Sequence, residues 1–186
     1  SSDVCSSDLA PALECRALDR RHALGNPTAM TKPPDLKEID EQLRSLPRLL
    51  AGAGYATHAY HNFTARFWLR DKIYPKFGFD EFVSMDDMTL TIQPNDWPTD
   101  EGLYTSVLGR VGGTRPQFHF IVTVQTHGPY EADDRDLKGH EGVTDYRTRL
   151  DGAAKSLAAF KQALDAKGRP YALVLFGDHL PGLRMH

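Results

Sequence analysis

The chain has 186 residues, 40 % of them hydrophobic and 25 % charged, with a formal net charge of −3. That suits one globular domain or part of a larger one, and the acidic balance, with no dense Lys/Arg block, argues against a nucleic-acid surface. No apolar run approaches the roughly 20 residues that span a bilayer, and Cys5 and Cys15 form neither a metal spacing nor a disulfide framework.

The opening "SSDVCSSDL" reads as the translation of a sequencing-library adapter, so residues 1–9 are set aside as non-native. Residues 10–186 are then expected to be a partial domain, truncated on its N-terminal side and again after "PGLRMH". Residues 10–34 carry no period. "SLPRLLAGAG" predicts a helix capped by Ser45, with Pro47 in its first turn and Gly54 as its left-handed stop. "YATHAY", Tyr55 to Tyr60, predicts a strand. A short helical turn falls within Phe63–Phe77, and "GFDEF" is a loop or edge strand. Thr99 is placed to cap a helix that Asp100 and Glu101 favour at its positive end and Gly112 closes.

"FHFIVTVQ", Phe118 to Gln125, is the clearest strand signal. Glu131–Val143 is polar loop. Thr144 to Lys167 predicts the longest helix, with Tyr146, Leu150, Ala153, Leu157, Phe160 and Leu164 on one apolar face. "YALVLFG" then predicts a third strand. Helices alternating with near-continuous apolar strands imply a parallel α/β sheet covered on both faces, whose ligands gather beyond the strands' carboxyl ends. Three polar loops leave those ends: His61-Asn62, "THGPY" and "GDH".

Asp178 and His179, after the turn residue Gly177, offer a carboxylate oxygen and an imidazole nitrogen of the kind that hold Zn²⁺, Mn²⁺ or Fe²⁺. Taken alone, an Asp in a turn beside an incidental histidine is the commoner meaning of such a pair. His127 is presented by a Gly-Pro turn, yet a surface histidine would look the same, and His61 shares that ambiguity. Trp68 and Arg70 lie two apart, which does not share a helix face, though a loop can aim both into a cleft. Arg suits phosphate because its planar fork donates two hydrogen bonds. His58 reads as a satisfied histidine on the strand's face. Gly-x-Ser-x-Gly and Walker patterns are absent.

Taken in order, "SLPRLLAGAGYATHAYHNFTARFWLRDKIYPKFGFDEF", "FIVTVQTHGPY" and "VLFGDHLPGL" resemble the lipoteichoic acid synthase and phosphoglycerol transferase branch of the sulfatase (alkaline phosphatase-like) superfamily. The likeness covers about residues 43–183 and includes the His-x6-Trp-x-Arg spacing from His61 to Trp68 and Arg70. It implies an α/β sandwich with a central, mostly parallel sheet, incomplete here. It also implies a bacterial cell-membrane protein with an extracytoplasmic catalytic domain, periplasmic or extracellular. The implied reaction moves glycerol phosphate from a phospholipid such as phosphatidylglycerol to a glycan or teichoic acid hydroxyl, through a threonine-linked intermediate at one divalent cation (Mn, with Mg or Zn as alternatives).

On this chain the resemblance makes Asp178 and His179 metal ligands. It makes Trp68 and Arg70 holders of the glycerophosphate, His127 an acid near the leaving group, and His61 a further substrate-loop residue. The family's nucleophilic Thr and its metal-binding Glu have no convincing copy in this sequence; Glu14 resembles at most a remnant of the region just after the nucleophile, and the position four before it is Ala10. The chain by itself is therefore expected to be inactive and to bind metal weakly. A sulfatase-like hydrolase, a phosphoethanolamine transferase and a non-catalytic binding domain of the same fold are the other readings.

Overall fold

Ser45 starts the first described helix as its sequence predicts: its hydroxyl accepts from the Arg48 amide at 3.3 Å, and the buried Pro47 occupies the first turn. This helix, α1 (Leu46–Gly52), leaves through Gly54 at φ +90°, a conformation that glycine adopts without steric cost. The computed structural model describes residues 44–93 and 97–183, all within the unit Pro34–His186. The adapter-like segment and residues 10–34 lie outside the described residues.

After α1 come β1 (Ala56–His61), a 3-10 turn (Phe67–Leu69), α2 (Arg70–Lys76) and β2 (Glu81–Val83). A second 3-10 turn (Met85–Asp87) leads to α3 (Asp100–Leu108), β3 (Gln117–Val122) and α4 (Val143–Ala166). The three strands form one parallel sheet in the order β2-β1-β3, with Tyr60 opposite both Val83 and Ile121, and His61 opposite Val122. Parallel pairing in this register sends the chain out of all three strands at one edge.

Successive residues of β1 feed opposite cores, the two-residue period of a strand. Tyr60 joins Val83, Leu103, Tyr104, Val107, Phe160 and Leu164 under α3 and α4. Ala59 joins Ile73 and Tyr74 beneath α2, with Phe77, Phe79, Phe82 and Phe120 around them. A polar row crosses the sheet beside the first core. The Arg110 guanidinium meets Glu81 at 3.2 Å, Glu81 accepts from His58 Nδ1 at 2.9 Å, and the His58 ring stacks on His119 with centroids 5.1 Å apart. His119 Nδ1 in turn meets the Tyr60 hydroxyl at 3.0 Å.

Five expectations from the sequence are corrected here. The α3 helix ends at Leu108 with Gly109 as its cap, ahead of Gly112, and the Thr99 side chain makes no capping bond. On α4, Leu150 is exposed while Arg149, on the neighbouring helical position, is buried, because the first half of this helix packs on a polar loop and not on the apolar core. Residues 171–177 form no strand among the described residues; Val174, Leu175 and Phe176 are 79, 72 and 70 % exposed. Apolar, β-prone composition does not make a strand until a neighbour supplies ladder partners, and no described strand pairs with this run. Gly177 needs no glycine-only backbone and has open space where a Cβ would stand.

Asp100 stands in the first turn of α3, where an acid is favoured, yet it is not solvated. It is 2 % exposed, and its Oδ1 accepts from Asn62 Nδ2 at 3.0 Å and from the Gln125 amide at 3.3 Å. The Gln125 side-chain oxygen accepts from the Asp100 amide at 2.9 Å, and Asn62 Nδ2 also donates to the Thr99 carbonyl at 3.2 Å. This buried network joins the end of β1, the start of α3 and the segment after β3. Burial raises the Asp100 carboxyl above its ordinary range, partly offset by the Asn62 amide and the backbone amides it accepts from.

Asp100→Ala removes the shared acceptor and is expected to cost about 2–4 kcal/mol, while Asp100→Asn, which keeps an oxygen there, should cost less than about 1; urea unfolding midpoints check this. A pH prediction follows from His119, which burial and the neighbouring His58 lower to about 4. The unfolded state takes up that proton near pH 6.5 and the folded state does not, so stability declines as pH falls from about 6.5 toward about 4. His61 acts in the same direction, and Asp100 opposes as it gains its proton. His119→Phe keeps the stack but loses one titration, so its melting temperature should fall less than that of the native chain between about pH 7 and about pH 4.

Candidate active site at the carboxyl edge of the sheet

His61 closes β1 and is buried. Its Nδ1 lies 3.1 Å from the Val122 carbonyl; a carbonyl can only accept, so Nδ1 carries the proton. Burial, with the charges of Arg70 and His127, lowers this imidazole to about 4 even though the Val122 bond pulls upward. At neutral pH it is therefore uncharged, with its lone pair on Nε2.

The loop after β3 presents His127, which is exposed, and three side chains fix that loop. Arg149 donates to the His127 carbonyl at 2.8 Å and to the Pro129 carbonyl at 3.1 Å, and it pairs with Asp145 one turn earlier on α4. Its guanidinium also lies over the Tyr130 ring, 5.3 Å from the centroid, while the Tyr130 hydroxyl donates to the Thr126 carbonyl at 2.8 Å. A fully donating arginine under a loop of carbonyls is a rigid support. Within that support His127 Nδ1 donates to the Gly128 carbonyl at 2.6 Å, so its Nε2 is the atom left for other chemistry.

Asp178 and His179 sit in a bend after the unpaired apolar run, both side chains well exposed. His179 Nδ1 donates to the Leu180 carbonyl at 2.8 Å, and Nε2 lies 3.7 Å from Asp178 Oδ1. The His179 ring stands perpendicular to that of His127 with centroids 6.3 Å apart. His127, Asp178 and His179 line one shallow cleft, walled by Thr126, Tyr130 and Tyr146. A carboxylate with a carbonyl-anchored imidazole is a fitting pair of donors for a divalent cation. Two donors are still only part of a ligand set, and the described residues contain no group of three or more His, Cys, Asp or Glu able to hold a metal ion.

Trp68 and Arg70 come from the turn at the start of α2. Trp68 and Leu69 have φ of +56° and +53°, a left-handed backbone that costs two consecutive bulky residues about 1 kcal/mol or more each. That break in the helix is how residues two apart are both released from helical spacing. Arg70 donates to the Phe67 carbonyl at 3.2 Å, and its guanidinium lies over the Phe67 ring.

Three aromatic residues that the sequence did not single out connect these parts. From His127 the ring contacts run to Trp97 (4.7 Å), on to Phe63 (5.0 Å), then to Phe67 (5.6 Å) and Trp68 (5.7 Å). His61 joins the row through Phe63 at 6.2 Å. His127, Asp178 and His179 thus share one cleft, while Trp68 and Arg70 stand at the far end of the ring row and His61 joins it in the middle. Neither Trp97 nor Phe63 carries a motif, and Arg149 lies in a helix where spacing predicts only an amphipathic face, so these residues emerge from contacts alone.

The sulfatase family profile matches residues 4–186. A Rhizobium meliloti (strain 1021) protein named for cyclic β-1,2-glucan modification is 32 % identical over 162 residues, covering 81 % of this chain and 25 % of that protein. The crystal structure of the lipoteichoic acid synthase LtaP from Listeria monocytogenes is similar at a TM-score of 0.59 and 26 % identity, over 71 % of this chain and 35 % of that one. The Streptococcus pyogenes phosphoglycerol transferase GacH, solved with sn-glycerol-1-phosphate, shares the fold at a TM-score of 0.58 and 24 % identity, over 70 % of this chain and 38 % of that one. The chain spans about a quarter of the length of the curated relatives it matches. The match to the family, over nearly the whole chain, and these likenesses place the protein in the sulfatase family, within the lipoteichoic acid synthase and phosphoglycerol transferase branch of the alkaline phosphatase-like superfamily.

Proposed function

We propose that this sequence supplies part of the active site of a phosphoglycerol transferase, which takes glycerol phosphate from a phospholipid and passes it to a glycan hydroxyl. The observation that carries this reading is the state of three histidines at one sheet edge. His61, His127 and His179 each give Nδ1–H to a main-chain carbonyl, so each keeps Nε2 for a substrate, a proton or a metal. The branch membership and the glycerol phosphate bound to the structural neighbour GacH support this substrate class, and the glucan named for the Rhizobium relative supports a glycan acceptor.

In this reading Arg70 holds phosphate oxygens through its two-pronged donors, and Trp68 packs on the glycerol. Asp178 and His179 are two ligands of a divalent cation, manganese by preference, with the remaining donors beyond the described residues. When bound, such a cation supplies positive charge against the phosphoryl oxygens. A threonine hydroxyl, also beyond the described residues, bonds to phosphorus as the bond to the diacylglycerol oxygen breaks. His127 Nε2 takes the threonine proton and gives it to that departing oxygen. The acceptor hydroxyl then bonds to phosphorus as the bond to the threonine oxygen breaks, and its proton passes by the same nitrogen back to the threonine. His61, buried and neutral, offers its Nε2 lone pair to a donor on the substrate. Placement at the outer face of a bacterial membrane belongs to the same proposal; among the described residues no helix is long and apolar enough to cross a membrane.

Nuclear magnetic resonance titration of the chain tests the assignment. Mn²⁺ should broaden the His179 and His127 ring signals selectively and leave those of His58 sharp, with weak affinity because the described residues offer only part of a ligand set. His179→Ala should abolish the effect. With sn-glycerol-1-phosphate, Arg70→Ala should weaken binding about 10- to 100-fold, the loss of a charge-assisted pair of hydrogen bonds. Unchanged Mn²⁺ broadening in His179→Ala, or unchanged glycerol phosphate binding in Arg70→Ala, counts against the proposal.

A further inference from the structure

The charge of this chain is unevenly placed. Residues 44–79 contain six basic side chains (Arg44, Arg48, Arg66, Arg70, Lys72 and Lys76) against one acid, Asp71, a net of +5 in a chain whose formal total is −3. Arg44 precedes α1, and the others belong to α1, the turn before α2, and α2 itself. The Arg48 guanidinium donates twice to the Lys76 carbonyl, at 3.1 and 2.6 Å, and Ser45 donates to the Phe77 carbonyl, so α1 is docked against the end of α2. Arg66 and Phe67 stand at the other end of α2, a helix about 10 Å long. The surface from Phe67 to Leu46 is therefore one stretch.

Large apolar side chains are exposed on the same stretch: Leu46 and Leu49, three residues apart on α1, at 56 and 61 %, and Phe67 at 46 %. Arg44, Arg66 and Lys72 are exposed beside them. A solvated basic face would explain the charge but leaves three bulky apolar groups in water with nothing gained. Basic side chains around exposed leucine and phenylalanine match a bilayer interface, where the apolar groups enter the acyl boundary and the cations meet anionic headgroups. A soluble polyanion would satisfy only the cations.

We propose that α1, the Phe67 turn and α2 form a docking surface for an anionic phospholipid bilayer. The purpose of such docking rests on the phospholipid-donor reading above: Trp68 and Arg70 lie in the same turn as Phe67, so a docked chain meets headgroups at the residues assigned to hold them. The charge complementarity and the exposed side chains stand without that reading.

Co-sedimentation with vesicles tests it. The chain should bind vesicles of equal parts phosphatidylglycerol and phosphatidylcholine, less tightly in high salt, and fail to bind phosphatidylcholine alone. Arg66→Glu/Lys72→Glu and, separately, Leu46→Ser/Leu49→Ser/Phe67→Ser should each lower binding at least about tenfold, since each basic group near such a surface is worth roughly fivefold and the apolar groups would lose their burial. All five positions are exposed, so circular dichroism should stay unchanged. No binding to phosphatidylglycerol vesicles, equal binding to neutral ones, or a serine variant that binds as the native chain does would overturn the proposal. The last result, with the glutamate variant alone losing vesicles and polyphosphate together, would identify a polyanion surface instead. The glycerol phosphate titration separates the two proposals: docking with no response to glycerol phosphate leaves the bilayer surface standing and removes the transferase reading, and the converse does the reverse.

Discussion

One buried carboxylate sets the spacing of the candidate site. Asp100 is enclosed between the ends of β1 and β3, where Asn62 and Gln125 satisfy it from either side. A parallel sheet brings strand ends to one edge but leaves the exit paths of its loops free. The Asp100 network removes that freedom, because both loops must return to the same oxygen. His61 precedes Asn62 by one residue and His127 follows Gln125 by two, so the network holds the two histidines in a fixed relation. The desolvation cost, visible in the raised carboxyl, is the physical penalty for this arrangement.

Arg149 completes the support from the opposite side. It occupies a helical position where spacing alone predicts a flank of the apolar stripe, yet its guanidinium is buried under the His127 loop, donating to two carbonyls and pairing with Asp145. Loop carbonyls that point inward need donors, and arginine supplies several from one side chain. The long helix is thus apolar only in its second half, where Leu157, Phe160 and Leu164 meet the core.

The run from Tyr171 to Phe176 shows the opposite case. Its composition is that of a strand covered on both faces, and it carries Asp178 and His179 at its carboxyl end, but it has no ladder partner among the described residues. Its apolar side chains are left exposed. The metal pair is consequently attached to the least supported part of the site, whereas His61 and His127 rest on buried hydrogen bonds. That contrast agrees with two ligands being only part of a metal set.

Most of the helix and strand positions, the strand-end places of His61 and the His127 loop, the cap at Ser45 and the family resemblance can be read from local period, turn residues and short motifs. The six candidate site residues stand out in the sequence for the same reason. What holds them emerges only from contacts between distant parts of the chain. Trp97, Phe63 and Phe67 link His127 to Trp68 across distant stretches of chain, and Asp100 and Arg149 act from positions whose local pattern predicts a helix-start acid and a helix flank. Whether "YALVLF" becomes a strand is decided the same way. Local propensity cannot supply the neighbour whose hydrogen bonds define a sheet, and one sequence period cannot tell a buried partner from water.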